Sequence, residues 1–192
     1  MGDPGMKDDS EMNKFIETAR KVGAEVLCLA GIAPAVDYIR ELAGGPVLVP
    51  AFAGGERLEL ARLLGEAGCT VVQEDFRKAA PNAAAGVTGA NFALADTGSV
   101  VLESTDEAIR LATTLPERHF VLLDPRKILP DGLAAAPVLR KFHQRRERNF
   151  LAYITGPSRT ADIERVLTIG VHGPRELHIL LVEGISDDFL EM

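Results

Sequence analysis

Hydrophobic residues in this chain fall into short runs separated by longer, more polar stretches. Most runs are continuously apolar, which is typical of strands in a parallel sheet that is covered on both faces. Eight of these runs predict strands, at residues 26–30, 47–49, 70–72, 92–95, 100–102, 120–123, 151–154 and 177–182.

Between the strands, apolar residues recur at the spacing i, i+3, i+4 and i+7, which predicts amphipathic helices. Ser10 is predicted to cap the first helix, Gly68 to end the second, and a capping box of Ser104 with Glu107 to begin the third. Strands that alternate with helices indicate βαβ units. The four helical stripes are Met12, Phe15, Ile16 and Ala19; Leu60, Leu63, Leu64 and Ala67; Ala108, Leu111, Ala112 and Leu115; and Ile163, Val166, Leu167 and Gly170.

The connection between the runs at 92–95 and 100–102 is too short to hold a crossover helix. It predicts a β-hairpin, and therefore a sheet that is mixed rather than wholly parallel. The expected fold class is α/β, with three layers, a mostly parallel mixed sheet and a β-hairpin. We expect one domain over residues 1–192, with about ten flexible residues at its start.

Composition narrows the possible partners. The 192 residues carry a formal net charge of −7, which argues against nucleic acid or an anionic membrane as the main partner. No stretch approaches the ~20 apolar residues of a membrane span, so a cytoplasmic protein is expected. The two cysteines, Cys28 and Cys69, cannot supply the thiolates of an iron–sulfur cluster, and no histidine spacing suits a metal. We therefore expect no cofactor in this chain.

The segment 155–164, Thr-Gly-Pro-Ser-Arg-Thr-Ala-Asp-Ile-Glu, is the strongest local signal for a ligand site. A helix is predicted to start near Thr160, where free N–H groups attract anions and Arg159 can grip a carboxylate or phosphate. Ser158 and Thr160 are further ligand candidates. An equally good interpretation makes Thr160 a helix cap and Arg159 the partner of nearby acidic side chains.

Asp96-Thr97-Gly98-Ser99 matches the catalytic tetrapeptide of aspartic proteases. Those enzymes need two facing carboxylates on all-β lobes, whereas this chain has one copy and four helical stripes. The structural interpretation is a hairpin turn in which Asp96 accepts backbone N–H groups and Gly98 supplies a positive φ. A ligand-binding role for Asp96 and Thr97 is favoured over protease activity.

Glu103 and His172 are the candidates for catalysis, and His119 is a further histidine to weigh beside them. His172 lies in the Gly/Pro-bracketed turn 170–174, where an imidazole can act as acid, base or ligand, although a lone loop histidine is more often a surface residue. His119, at the start of a strand, has the same two interpretations. Glu103 ends a strand just before a helix, where doubly wound folds place chemistry and a carboxylate can act as nucleophile.

Taken in order, several motifs resemble one family, the lactate-utilisation (LUD) domain family, in its LutC/YkgG branch. The resemblance is close from about residue 86 to residue 182. It implies a fold similar to the ribose-phosphate isomerase, glucosamine-phosphate deaminase and CoA-transferase (NagB/RpiA/CoA transferase-like) group. It also implies a three-protein system that oxidises L-lactate to pyruvate, with iron–sulfur clusters in the two partner proteins. The motifs are residues 86–90, 95–99, 116–119, 155–164 and 170–174.

The function expected from this resemblance is an accessory or substrate-binding subunit that takes a small carboxylate or other anion. Two alternatives stay open. One is a stand-alone enzyme on small carboxylates, CoA esters or sugar phosphates that uses Glu103 or His172, and the other is a non-catalytic ligand sensor. The polar turns carrying Arg159, His172 and Asp96–Thr97 are predicted to converge on one cleft near strand ends.

Overall fold

The structure is a computed structural model that describes residues 5–145, 149–163, 166–170 and 172–192, with side chains for all of these except 5–9 and 160–169. Within these ranges the chain forms twelve strands and seven α-helices. The strands are β1 (Glu25–Leu29), β2 (Val47–Leu48), β3 (Val71–Val72), β4 (Ala85–Gly89), β5 (Phe92–Leu94), β6 (Ser99–Glu103), β7 (Arg118–Leu123), β8 (Ile128–Leu129), β9 (Leu151–Ile154), β10 (Arg159–Ile163), β11 (Val166–Ile169) and β12 (Glu176–Val182). The helices are α1 (Gly5–Lys21), α2 (Ile32–Leu42), α3 (Ala53–Arg57), α4 (Leu60–Glu66), α5 (Phe76–Ala79), α6 (Glu107–Thr114) and α7 (Ala136–Arg145), with 3-10 turns at Ala80–Asn82 and Pro125–Lys127.

Six strands form a central sheet in the order β1-β12-β7-β4-β2-β3, and every pair in it is parallel. A second sheet has the order β8-β5-β6-β9, and β10 pairs with β11 as a separate antiparallel ribbon. None of the described helices combines the length and the apolar character of a membrane span.

Side chains alternate between the two faces of the central sheet, as the pleat requires. Phe120 and Leu180 point to the face covered by α2 and α4, whose Ile39 and Leu64 complete that core. The neighbouring Val121 points to the opposite face. There it meets α1 and the inner side of the second sheet, so both faces of the central sheet are covered.

Helix α6 packs unusually close to the central sheet. A Cβ added at Gly86 of β4 would lie 1.9 Å from the carbonyl oxygen of Ala112. Only glycine allows this approach, because any side chain would displace the helix. The contact fixes the carboxyl-terminal turn of α6 beside β7.

All eight predicted strands form, and the hairpin at 92–102 is confirmed as the β5–β6 pair. The expectation that the hairpin joins the central sheet is wrong, because it belongs to the second sheet. Both of its faces are buried there: Ala93 and Val100 pack toward the central sheet, and Phe92 and Val101 pack toward α7. A mostly parallel α/β fold is confirmed, but the mixed pairing lies outside the central sheet.

The predicted helix at 163–170 is wrong, since residues 159–163 and 166–169 form strands β10 and β11. Its segments, Arg-Thr-Ala-Asp-Ile and Val-Leu-Thr-Ile, are rich in β-branched residues, which favour strands over helices. The helical spacing of their apolar residues was therefore misleading. Strand β4, Ala-Gly-Val-Thr-Gly, was missed because its two glycines and threonine interrupt the apolar run.

Two predicted helix starts are also corrected. The N-cap of α6 is Asp106, whose side chain accepts from Ala108 N at 2.7 Å, whereas Ser104 donates its hydroxyl to the carbonyl oxygen of Phe150. Helix α1 begins at Gly5, so Ser10 lies inside the helix instead of capping it. The stop at Gly68, which has φ +94°, is confirmed.

Candidate functional site

A cleft of about 250 Å³ opens at the amino ends of β7 and β12. The end of α6 forms one wall, and the loops 155–158 and 172–174 form the other. We term this the amino-end cleft. Its polar lining consists of His119, His172, Thr113, Thr114, Tyr153, Thr155 and Ser158, and its apolar lining includes Ala152, Ile154 and Leu177.

His119, the second residue of β7, is the most buried polar side chain of the cleft at 1% exposure. Its Nε2 atom lies 2.9 Å from the hydroxyl of Thr88, which is itself fully buried on β4. Its Nδ1 atom has no hydrogen-bond partner among the described residues. An unpaired buried polar group costs roughly 1–3 kcal/mol, so this nitrogen is a strong candidate to contact a ligand.

Burial lowers the pKa of His119 to about 3, and the nearby His178 lowers it further in the same direction. The ring is therefore neutral at physiological pH, with one donor and one acceptor nitrogen. If the Thr88 hydroxyl donates to Nε2, Nδ1 carries the hydrogen; if the hydroxyl accepts, Nδ1 offers a lone pair. Because the hydroxyl can rotate, the same pair can serve a ligand carbonyl or a ligand hydroxyl.

A chain of hydroxyl groups connects the turn of the hairpin to the cleft. The Ser99 hydroxyl donates to Thr97 Oγ1 at 2.8 Å and lies 2.7 Å from Thr155 Oγ1. Thr155 lines the cleft, whereas Asp96 and Thr97 are exposed on the hairpin turn. Thr97 therefore reaches the cleft only through Ser99, and Asp96 lies outside it.

The two loops of the outer wall are joined by backbone hydrogen bonds. Ser158 N donates to the carbonyl oxygen of Pro174, and Gly170 N donates to that of Ser158, both at 2.9 Å. This pairing places Ser158 and His172 on the same cleft. Ser158 is half-buried and His172 is exposed at the mouth.

Arg159 does not line this cleft. The predicted helix start is a strand, so the free N–H groups that were to assist Arg159 do not exist there. Instead Arg159 Nη2 donates to the carbonyl oxygen of Val22 at 2.5 Å, after α1. Thr160 lies in β10, and its side chain is outside the described residues.

Glu103, at the end of β6, lines a separate cavity at the carboxyl end of the central sheet and is not part of the amino-end cleft. The prediction that Arg159, His172 and the Asp96–Thr97 turn share one cleft is therefore wrong, because only His172 of these lines it. The structure brings together Ser158 and His172, and it adds His119.

The sequence placed His119 at the start of a strand, but it did not distinguish a functional imidazole from an ordinary surface histidine. The alternation of side chains along β7 could have indicated that His119 is buried. His119, Val121 and Leu123 lie on the same side of the strand, and the last two are apolar. Extending the predicted strand by two residues would have placed the imidazole on a buried face. The partner Thr88 could not have been foreseen, because β4 was not predicted.

A model of the LUD domain matches residues 12–182. The chain belongs to the LUD domain family. Lactate utilization protein C of Bacillus velezensis is 32% identical over 158 residues, covering 75% of this chain and 65% of that protein. The uncharacterized protein YkgG of Escherichia coli is 34% identical over 157 residues, covering 78% and 68% respectively.

These matches confirm the LutC/YkgG branch that the motifs indicated. This LUD domain thus spans about two thirds of the length of the curated relatives it matches. A crystal structure of a duf162 family protein from Deinococcus radiodurans superposes with a TM-score of 0.62 at 19% identity. The superposition covers 91% of this chain and 98% of that one, which supports the fold.

Proposed function

We propose that this LUD domain is a substrate-binding or accessory subunit of a lactate-utilisation system, and that its amino-end cleft binds a small 2-hydroxy acid and the matching 2-oxo acid. The observation that carries the proposal is the buried, neutral imidazole of His119, a residue of the cleft lining whose Nδ1 atom has no hydrogen-bond partner among the residues that the structure describes. The names of the relatives, which include lactate utilization protein C, supply the metabolic context.

The chemistry of the cleft suits this ligand class. His119 Nδ1 can accept from the hydroxyl of lactate or donate to the keto oxygen of pyruvate, depending on how the Thr88 hydroxyl is turned. Among the described lining residues there is no carboxylate to repel an acid, and the hydroxyls of Ser158 and Thr155 can donate to its carboxylate group. His172 at the mouth can donate a ring N–H to the same carboxylate group.

The apolar part of the cleft fits the remainder of such a molecule. Ala152, Ile154 and Leu177 provide a surface for a methyl group. A volume of about 250 Å³ holds a small organic acid together with a few waters, given roughly 30 Å³ for each water. Larger substrates would extend through the mouth past His172.

In this proposal the redox step belongs to iron–sulfur partner proteins. Cys28 and Cys69 are both free thiols on separate strand regions, and two thiols do not make the four-thiolate set that a cluster needs. The LUD domain would then hold or deliver the acid while a partner takes the electrons. An anaerobic pull-down with the tagged chain tests this directly: recovery of no iron-containing protein from lactate-grown cells would contradict the partner assignment.

Calorimetric titration with L-lactate and with pyruvate tests the binding site. His119→Gln keeps a polar atom near the position of Nε2, so it can still pair with Thr88, but it removes the Nδ1 group. His119→Asn does the reverse. We expect His119→Gln to weaken binding about tenfold, in line with one lost hydrogen bond of roughly 1.5 kcal/mol, and His119→Asn to keep more of the affinity. Equal affinity in wild type and His119→Gln would refute the assignment of the ligand to this cleft.

A further inference from the structure

The opposite, carboxyl end of the central sheet contains a second cavity, of about 120 Å³, which we term the Asn91 cavity. Asn91, Glu103 and Arg145 belong to its polar lining, and Phe142, Leu190 and Met192 form its apolar wall. Asn91 follows β4, and residues 185–192 follow β12, so this cavity lies where open α/β sheets usually bind ligands. It shares no lining residue with the amino-end cleft.

Asn91 is fixed in one orientation and leaves a donor free. Its Oδ1 atom accepts the backbone N–H of Glu103 at 2.6 Å, which identifies the other atom of the amide as nitrogen. The side chain is 1% exposed, and Nδ2 has no partner within the part of the chain that the structure describes. A buried amide donor without a partner indicates a ligand acceptor at this position.

The two charged groups of the cavity have opposite signs. Glu103 accepts the N–H of Thr105 with Oε1 at 3.1 Å, and its second carboxylate oxygen can accept from a ligand. Arg145 donates to the carbonyl oxygen of Leu190 at 3.2 Å and has further N–H groups available. A simple anion would face the Glu103 carboxylate, and a simple cation would face the Arg145 guanidinium. A molecule with both charges is attracted by both.

We propose that the Asn91 cavity binds a small α-amino acid as its zwitterion. The carboxylate accepts from Asn91 Nδ2 and Arg145, and the ammonium group donates to Glu103. The volume equals that of about four waters, which limits the ligand to the size of glycine or alanine. Phe142 and Leu190 bound the side on which a larger side chain would extend.

The outer wall is a tail, residues 185–192, that the rest of the protein holds in place. Lys127 Nζ donates to the carbonyl oxygen of Glu191 at 2.6 Å, and Gly54 N donates to that of Met192 at 2.7 Å. Arg57 Nη2 donates to the carbonyl oxygen of Ile185 at 2.7 Å. These anchors keep Leu190 and Met192 against the cavity, so the polar groups are preorganised for a ligand.

NMR titration of the full ¹⁵N-labelled chain with glycine and with L-alanine tests the proposal, because the side-chain amide resonances of Asn91 report on the free donor. Acetate and methylammonium each present one half of the ligand. The variants are Glu103→Gln and Arg145→Gln, with Arg140→Gln as a matched control on the same helix and outside the cavity.

We expect glycine or alanine to shift the Asn91 amide resonances while acetate and methylammonium do not. Glu103→Gln and Arg145→Gln should each weaken binding about tenfold or more, because each loses a charge-assisted hydrogen bond, and Arg140→Gln should change it less than about twofold. An unmoved Asn91 resonance at saturating amino acid overturns the site, and equal response to acetate overturns the zwitterion class. His119→Gln should leave this titration unchanged, so the result is independent of lactate binding.

Discussion

The two ends of the central sheet present contrasting sites. The amino-end cleft is lined by a neutral imidazole and several hydroxyls, and its described lining contains no carboxylate. The Asn91 cavity at the carboxyl end contains an acidic and a basic side chain and is walled by the chain's own tail. The usual ligand end of a parallel sheet is thus partly covered, and the open cleft lies at the other end.

Each end also buries a basic group, and burial lowers the pKa of both. The pKa of His119 at the amino end is shifted to about 3, and that of Lys127 at the carboxyl end is shifted to about 8. At neutral pH, His119 is therefore uncharged and Lys127 is still charged. The neutral His119 ring needs only one hydrogen bond to the protein and keeps one nitrogen for a ligand. Lys127 is 1% exposed and charged, and its ammonium group donates to the carbonyl oxygen of Glu191 in the tail.

The largest expected effect on stability concerns the packing of α6 against Gly86, because the end of α6 forms one wall of the amino-end cleft. Gly86→Ala places a Cβ against the Ala112 carbonyl oxygen, so we expect a loss of about 3 kcal/mol or more in the free energy of unfolding. Urea denaturation measures it. Gly65→Ala on α4 is the control, since no atom lies within 4 Å of its Cβ and a helical alanine gains about 0.5–1 kcal/mol. Similar stability in both variants would mean that α6 does not pack as described.

Lys127 should make the carboxyl end more stable as the pH rises. Its pKa is about 8 in the folded protein, against the ordinary lysine value of 10.5 for the unfolded chain, so the unfolded chain binds more protons between these values. The stability penalty is complete below pH 8 and is recovered by pH 10.5. The shift corresponds to about 3 kcal/mol, and Lys127→Met should remove this dependence. Denaturation of both proteins across this window measures the difference, and parallel pH curves would contradict a buried, charged Lys127.

His119 should have its effect at the opposite end of the pH scale. Its folded pKa of about 3 lies below the ordinary 6.5, so its stabilising contribution is complete above pH 6.5 and is lost as the pH falls toward 3. We expect the free energy of unfolding of wild type to fall by about 2 kcal/mol between pH 7 and pH 5 because of this group. His119→Gln has no imidazole at this position, so it should not show this part of the pH dependence. Thermal or urea unfolding at pH 7 and pH 5 provides the comparison. An NMR titration midpoint of the His119 ring near 6.5 would show that the imidazole is solvated.

Substitution of Arg159 should have the smallest effect on both stability and ligand affinity. The side chain is exposed and donates to the carbonyl oxygen of Val22, so Arg159→Ala should change the free energy of unfolding by less than about 1 kcal/mol. Because Arg159 lies outside the amino-end cleft, its loss should leave lactate and pyruvate affinity within about twofold of wild type. If Arg159→Ala lost tenfold in lactate or pyruvate affinity by calorimetry, Arg159 would belong to the ligand site after all.

The candidate sites were only partly predictable from the sequence. Ser158 and His172 were identified because Gly/Pro turns mark loops, and both loops lie on the cleft. Arg159 was misassigned because β-branched segments were interpreted as a helix with free N–H groups. Glu103 was correctly placed at a strand end, but nothing in the local pattern indicated Asn91, whose amide orientation depends on a contact with Glu103 N twelve residues away.

By itself, the sequence determined eight of the twelve described strands, the hairpin and the family, because continuous apolar runs, short turns and ordered motifs are local features of the chain. Only the tertiary structure decided that the hairpin lies in a second sheet, that His119 is buried beside Thr88, and that the tail covers Asn91 and Lys127. These outcomes depend on pairing and packing between segments far apart in the chain, such as Lys127 with Glu191. Hydrophobic periodicity reports which side of an element is buried, but it does not specify which polar groups meet there.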